Sequence, residues 1–157
     1  MNGSIIPEEF ANYGDEMFLF ENGRIWKHGT GEINSFFGSD RKASLMEFVT
    51  NQYPEVQKSF ETLSIDTNGA WTAEMEIEED NNYQFGQKTQ IFSGMFKSRE
   101  GSLVSSVPRN ILNRNGVEDI QLLYSGNKML GHSMKVSISS VNFDKLREVK
   151  ITSTNQK

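Results

Sequence analysis

Apolar and polar residues alternate with a period of two along much of this chain. Trp71, Ala73, Met75 and Ile77 fall on one face of an extended segment, and Thr72, Glu74, Glu76 and Glu78 fall on the other. That is the pattern of a half-buried strand. Met134, Val136 and Ile138 alternate in the same way with Lys135, Ser137 and Ser139, as do Val149 and Ile151 with Lys150 and Thr152. Met17-Phe-Leu-Phe20 and Arg24-Ile-Trp-Lys27 flank Glu21-Asn-Gly23, and an Asn-Gly pair between two such runs predicts a tight hairpin because both residues accept positive φ. Further turns are predicted at Asp66-Thr-Asn-Gly69, Arg99-Glu-Gly101, Asn115-Gly116 and Ser125-Gly-Asn127. The fold class that follows is mainly β: an antiparallel β-sandwich or partly closed barrel with one or two short helical turns. The helical turns are expected over 7–13, where Pro7 suits the first helical position, and after Pro54 as far as Ser59. A third candidate, Phe143 to Arg147, is too short to assign. Long loops are expected over Gly29–Ser39 and Arg109–Ile120. A single β-rich domain over 1–157 is expected, with an N-terminal arm over 1–14 and a frayed C-terminus over 153–157.

The segment Phe48-Val-Thr-Asn-Gln-Tyr-Pro-Glu-Val-Gln-Lys-Ser-Phe-Glu-Thr-Leu63 predicts a strand, a corner and a second strand. Asn51 and Pro54 suit the corner, Pro54 fixing its own φ and pushing Tyr53 towards an extended shape. Lys58 and Phe60 are expected on opposite sides of the exit strand, with Phe60 in the core and Lys58 facing solvent or a neighbour.

Composition narrows the chemistry. There is no cysteine among 157 residues, which removes disulfides and thiolate metal sites and fits folding in a reducing cytoplasm. The N-terminal residues lack a basic segment followed by an apolar run, and no apolar stretch is long enough for a transmembrane helix. No signal peptide and no membrane association are therefore expected. The net charge of −5 is unevenly distributed: residues 1–127 hold 10 basic and 19 acidic side chains, and residues 128–157 hold 6 and 2. This polarity suits head-to-tail association of the basic end of one copy with the acidic body of another, and equally suits ordinary solvated strand faces. Nucleic acid is not an expected partner, because the basic residues of the tail are spread out and lack interleaved aromatic platforms.

No catalytic, cofactor-binding or metal-binding residues are assigned. The two histidines, His28 and His132, are more than one hundred residues apart and sit beside strand and turn residues. No Gly-x-Ser-x-Gly elbow presents a serine nucleophile, and Gly126-Asn-Lys128 lacks the remainder of a phosphate loop. Glu74, Glu76 and Glu78 share one strand face as a solvated stripe, not the facing pair that glycoside hydrolysis requires. Asp66-Thr-Asn-Gly69 and Asp80-Asn-Asn82 are turns that do not continue into a closed calcium loop. Most of the aromatic residues are expected in the core, Trp71 by its alternation; Phe36-Phe37, in a predicted loop, is the better candidate for an exposed contact patch.

The order of segments resembles a domain of the large structural proteins of crAss-like tailed bacteriophages, the stabilisation or muzzle class. Glu21-Asn-Gly-Arg-Ile-Trp-Lys-His28 is similar to the family's "dG-lyrh" hairpin, and the 48–63 segment to "fvfNdnPsvxKtFkTl" at Phe48, Val49, Asn51, Pro54, Val56, Lys58, Phe60, Thr62 and Leu63. Phe96-Lys-Ser-Arg-Glu-Gly-Ser-Leu-Val-Ser-Ser-Val-Pro-Arg-Asn110 resembles "KEG-yya-ipRn", and Lys128-Met-Leu-Gly-His-Ser-Met-Lys-Val-Ser-Ile138 resembles "lkGhylkvtl". The likeness runs in order over roughly residues 15–154. It departs at Ser64-Ile-Asp-Thr-Asn-Gly69, where the family continues "nYEGt", and its members are much longer chains. The resemblance implies a non-enzymatic structural subunit of a virion neck or tail, acting through subunit packing, located in the virion and in the host cytoplasm during assembly. The implied partners are other virion proteins and further copies of the chain. A glycan- or host-surface-binding module is the alternative. The candidate interface residues are Lys58, Phe36, Phe37 and Arg109, and Asn51, Pro54 and Phe60 form the structural corner.

Overall fold

The structure is a computed structural model, and it describes residues 8–30, 43–80, 84–140 and 145–156. By its internal contacts the chain divides into two units, Met1–Ala43 and Ser44–Lys157.

The described part of the first unit is an antiparallel meander of β1 (Glu9–Tyr13), β2 (Glu16–Glu21) and β3 (Arg24–Lys27). The helix expected over 7–13 is instead strand β1, whose five residues pair with β2 from Glu9 opposite Phe20 to Tyr13 opposite Glu16. Pro7 lies outside the described residues. Cross-strand pairing to an apolar neighbour strand outweighs the weak local preference for helix. The Asn-Gly hairpin forms as predicted: Asn22 and Gly23 take φ of 48° and 71°, and Glu21 faces Arg24.

The second unit contains β4 (Ser44–Thr50), β5 (Lys58–Thr67), β6 (Thr72–Ile77), β7 (Gln87–Ile91), β8 (Lys97–Arg99), β9 (Ser102–Ser106), β10 (Leu130–Gly131), β11 (Met134–Ser140) and β12 (Leu146–Asn155). One sheet has the order β4-β11-β6-β7. In the other, β12 lies along one edge of β5, and β9 and β10 share the opposite edge, with β8 outside β9. Every strand pair is antiparallel. One core joins the sheets, built from Phe60, Leu63 and Ile65 of β5 against Trp71, Ala73, Met75, Ile77, Ile91, Val136 and Ile138. The architecture is therefore the sandwich alternative; no closed barrel forms among the described residues.

Among the described residues, helix is confined to a 3₁₀ turn at Ser93–Met95 and one α turn, α1 (Leu122–Ser125). Neither coincides with a predicted one. Both sit in connections between strands, where packing rather than periodicity sets the conformation. α1 ends at Gly126, where the close approach of the Asn110 carbonyl oxygen, 2.2 Å from where a Cβ would lie, requires glycine. The loop expected over Arg109–Ile120 is irregular apart from a bridge between Leu112 and Glu118. The candidate loop over Gly29–Ser39 lies mostly outside the described residues.

A β-bulge sets the phase of β5. Phe60 pairs with Ser153 and Thr62 with Thr152, which leaves Glu61 as the extra residue. Phe60 and Leu63, three apart, would face opposite sides of a regular strand; the bulge turns both into the same core. Of the C-terminal stretch 153–157, expected to fray unless a neighbour holds it, residues 153–156 are held by β5 and Gln57. Ser153, Thr154 and Asn155 pair with β5, and the Gln156 N–H donates to the Gln57 carbonyl at 2.9 Å. Lys157 lies outside the described residues.

Candidate functional site

The Asn51–Phe60 corner is a hydrogen-bonded turn. The Val56 N–H donates to the Tyr53 carbonyl at 3.1 Å, which places Pro54 at the second position of the turn, where its fixed φ is favoured. The chain then enters β5 at Lys58, so no helix runs from Pro54 to Ser59. Tyr53 is not extended as expected; its φ is 55°, in the left-handed region that costs a bulky residue about 1–2 kcal/mol.

Lys58 holds that corner from inside. Its side chain is buried, with 2% of the residue exposed, and Nζ donates to the carbonyl oxygens of Gln52 at 2.5 Å and Tyr53 at 3.0 Å. The expectation that Lys58 faces a neighbour is corrected by these contacts. Lys58 and Phe60 are two residues apart in a strand and so share a face, and both are buried. His132 completes the arrangement. Its Nδ1 lies 2.9 Å from the Pro54 carbonyl, which accepts, so Nδ1 carries the proton. Three successive carbonyls, of residues 52, 53 and 54, thus accept from two basic side chains, Lys58 at the start of β5 and His132 between β10 and β11. Phe60 is in the core as predicted, and Asn51 is exposed at the start of the corner. Phe36 and Phe37 lie outside the described residues.

Arg109 belongs to a different place. It is half-buried, its backbone N–H donates to the Leu123 carbonyl at 2.9 Å, and its side chain lines a hollow of about 610 Å³ beside the β8–β9 hairpin. Lys97 and Arg99, both exposed and two residues apart on β8, line the same hollow together with Met95, Val104 and Leu123. No carboxylate is among the lining residues. None of these three cations has an ion-pair partner among the described residues. Lys97 and Arg99 were not singled out from the sequence; the only signal was the Lys-x-Arg spacing, which places two charges on one strand face.

Three cations of the C-terminal region are paired within the chain. Lys135 pairs with Glu47 at 3.2 Å, Arg147 with Asp66 at 3.1 Å and Lys150 with Glu148 at 2.9 Å. The positive tail meets acidic residues of its own chain. Glu74 and Glu76 on β6 and Glu78 just past its end are all exposed, as predicted. Lys88 on β7 approaches Glu76 at 3.6 Å and binds Glu118 at 2.7 Å. The hydrogen bond to Glu118 is the main cause of a raised Lys88 pKa; burial opposes it, and the charges of Glu118, Glu74 and Glu76 add to it. Among the described residues no group of three or more His, Cys, Asp or Glu side chains is placed to hold a metal ion. No described helix is long and apolar enough to cross a membrane.

Residues 31–110, just over half of the chain, match the family model of the Crassvirus muzzle protein C-terminal domain. The chain belongs to this family. It is thus a structural domain of bacteriophage origin, in agreement with the segment resemblance found in the sequence. Comparison with curated proteins finds no match. The muzzle-domain match contains the corner, the β8–β9 hairpin and Arg109. It ends before β10, β11 and β12, although β11 lies between β4 and β6 and β12 runs along the whole of β5.

Proposed function

We propose that this muzzle-family chain is a non-enzymatic structural subunit of the neck or tail of a tailed-phage virion, working by packing against further copies of itself and other virion proteins. The match of residues 31–110 to the muzzle C-terminal domain carries this reading. Two features support it. The corner residues that looked like chemistry or contact candidates, Lys58 and His132, spend their donors on backbone carbonyls and so hold shape. Strand β4 is at the edge of its sheet and exposes Leu45 and Val49, at 66% and 60%, the kind of edge that other chains cover in assemblies. The protein resides in the virion and passes through the host cytoplasm during assembly.

The test is light scattering of the purified protein over a concentration series, with co-expression of candidate neck and tail proteins. A homo-oligomer or a stable complex is expected. A monomer at high concentration that binds none of the virion proteins would overturn the reading.

A further inference from the structure

We infer that the hollow lined by Lys97, Arg99 and Arg109 is a docking site for an acidic strand face, and that its occupant is the Glu74-Glu76-Glu78 stripe of a second copy. This deepens the packing reading above and rests on it.

The argument starts from charge. In a chain of net charge −5, three cations without carboxylate partners gather around a concave surface that has no carboxylate in its wall. Mutual repulsion with no local compensation costs stability, and an incoming anion removes that cost. The adjoining hollow shares Arg109 and adds Lys128 and one carboxylate, Glu61, so the surroundings stay positive. The volume of about 610 Å³ and the mixed polar and apolar lining suit several inserted side chains rather than a single small ion.

The stripe matches in sign and in spacing. Lys97 and Arg99 repeat every second residue along β8, and Glu74 and Glu76 repeat every second residue along β6, with Glu78 just beyond its end. Both rows therefore carry charges about 7 Å apart. Glu74 and Glu78 have no ion pair among the described residues, and Glu76 has only the long contact to Lys88, which is engaged by Glu118. The basic tail is the weaker candidate, since Lys135, Arg147 and Lys150 are already paired within the chain. Because hollow and stripe are different patches of one molecule, the contact is heterologous, and such contacts build rings or open filaments.

Charge reversal tests this. One variant carries Lys97→Glu, Arg99→Glu and Arg109→Glu, and the other carries Glu74→Lys, Glu76→Lys and Glu78→Lys. Since Arg109 is half-buried, Lys97→Glu with Arg99→Glu is made as well, both positions being exposed. Each variant alone is expected to self-associate about tenfold or more weakly than wild type. An equal mixture of the two triple variants should regain assembly with alternating copies, because the native hollow of one meets the native stripe of the other and the reversed hollow meets the reversed stripe. A chain carrying both sets should regain the wild-type assembly, and association should weaken in about 0.5 M salt. Wild type that assembles while the reversed variants assemble equally well overturns this inference and leaves subunit packing standing. Wild type that stays monomeric, or a hollow that binds single-stranded DNA without any self-association, overturns this inference, and the packing reading falls as well only if the monomer also binds none of the virion proteins.

Discussion

Lys58 Nζ and the Tyr53 carbonyl oxygen are 3.0 Å apart, and this bond ties the first residue of β5 to the strained residue of the preceding corner. The left-handed Tyr53 is tolerated because its carbonyl, and that of Gln52, point at a buried ammonium group. Lys58→Met retains most of the side-chain volume and removes the donor. It is expected to destabilise the protein by about 2 kcal/mol, since the Gln52 carbonyl loses its ammonium donor and the Tyr53 carbonyl keeps only the Val56 N–H, next to a strained residue. Urea denaturation reads this directly; a change below about 0.5 kcal/mol would show that the corner holds without Lys58.

The neighbouring residue should respond with the opposite sign. Ser59 is 1% exposed, and its hydroxyl meets no hydrogen-bond partner among the described residues. A buried hydroxyl without a partner costs free energy that an apolar side chain does not. Ser59→Ala should therefore be neutral or stabilising by up to about 1 kcal/mol. Clear destabilisation in the same urea experiment would mean that the hydroxyl is satisfied in solution.

Much of this corner was legible, and its failures are instructive. Trp71, Phe60 and the β6 stripe follow from period-two alternation, and the Asn22-Gly23 hairpin follows from turn chemistry. The inward direction of Lys58 was also present in the spacing, since residues 58 and 60 must share a strand face; charge alone argued for solvent. The bulge at Glu61 left no local mark, because it exists only in the register with β12, ninety residues away in sequence. The basic hollow was hidden for the same reason. Arg109 joins Lys97 and Arg99 through the folding of β8 and β9 against the segment before α1, which no periodicity encodes.

Lys88 supplies a pH dependence. Its pKa is raised above 10.5 in the folded protein, chiefly by the hydrogen bond to Glu118. A cation whose folded pKa is raised contributes stability that is fully present below the unfolded value and is lost as pH rises through the folded value. Wild type should therefore lose this contribution above about pH 10.5. Glu118→Gln keeps the shape and removes the charge, so its stability should lie below wild type at neutral pH and approach it at alkaline pH. Melting both proteins across the alkaline range checks this, and a constant difference between them would refute the assignment.

The boundary of the family match is not a boundary of the fold. A chain ending at Asn110 retains β4 to β9 but loses β11, which separates β4 from β6 with up to seven paired residues on one side and five on the other. Without it β4 has no partner strand, and the core loses Met134, Val136 and Ile138, each with no exposed surface. Loss of β12 also uncovers the full length of β5, including the backbone partners of the Glu61 bulge. Burial of a single large aliphatic side chain contributes about 1.5–3 kcal/mol, so removing three exceeds a large share of the 5–15 kcal/mol typical of a whole domain. The fragment 31–110 is expected to be unfolded, with no cooperative melt and rapid proteolysis, whereas 44–157, which contains both sheets of the sandwich, should melt cooperatively. A cooperative transition from 31–110 alone would show that the family's matched segment closes its core in another way.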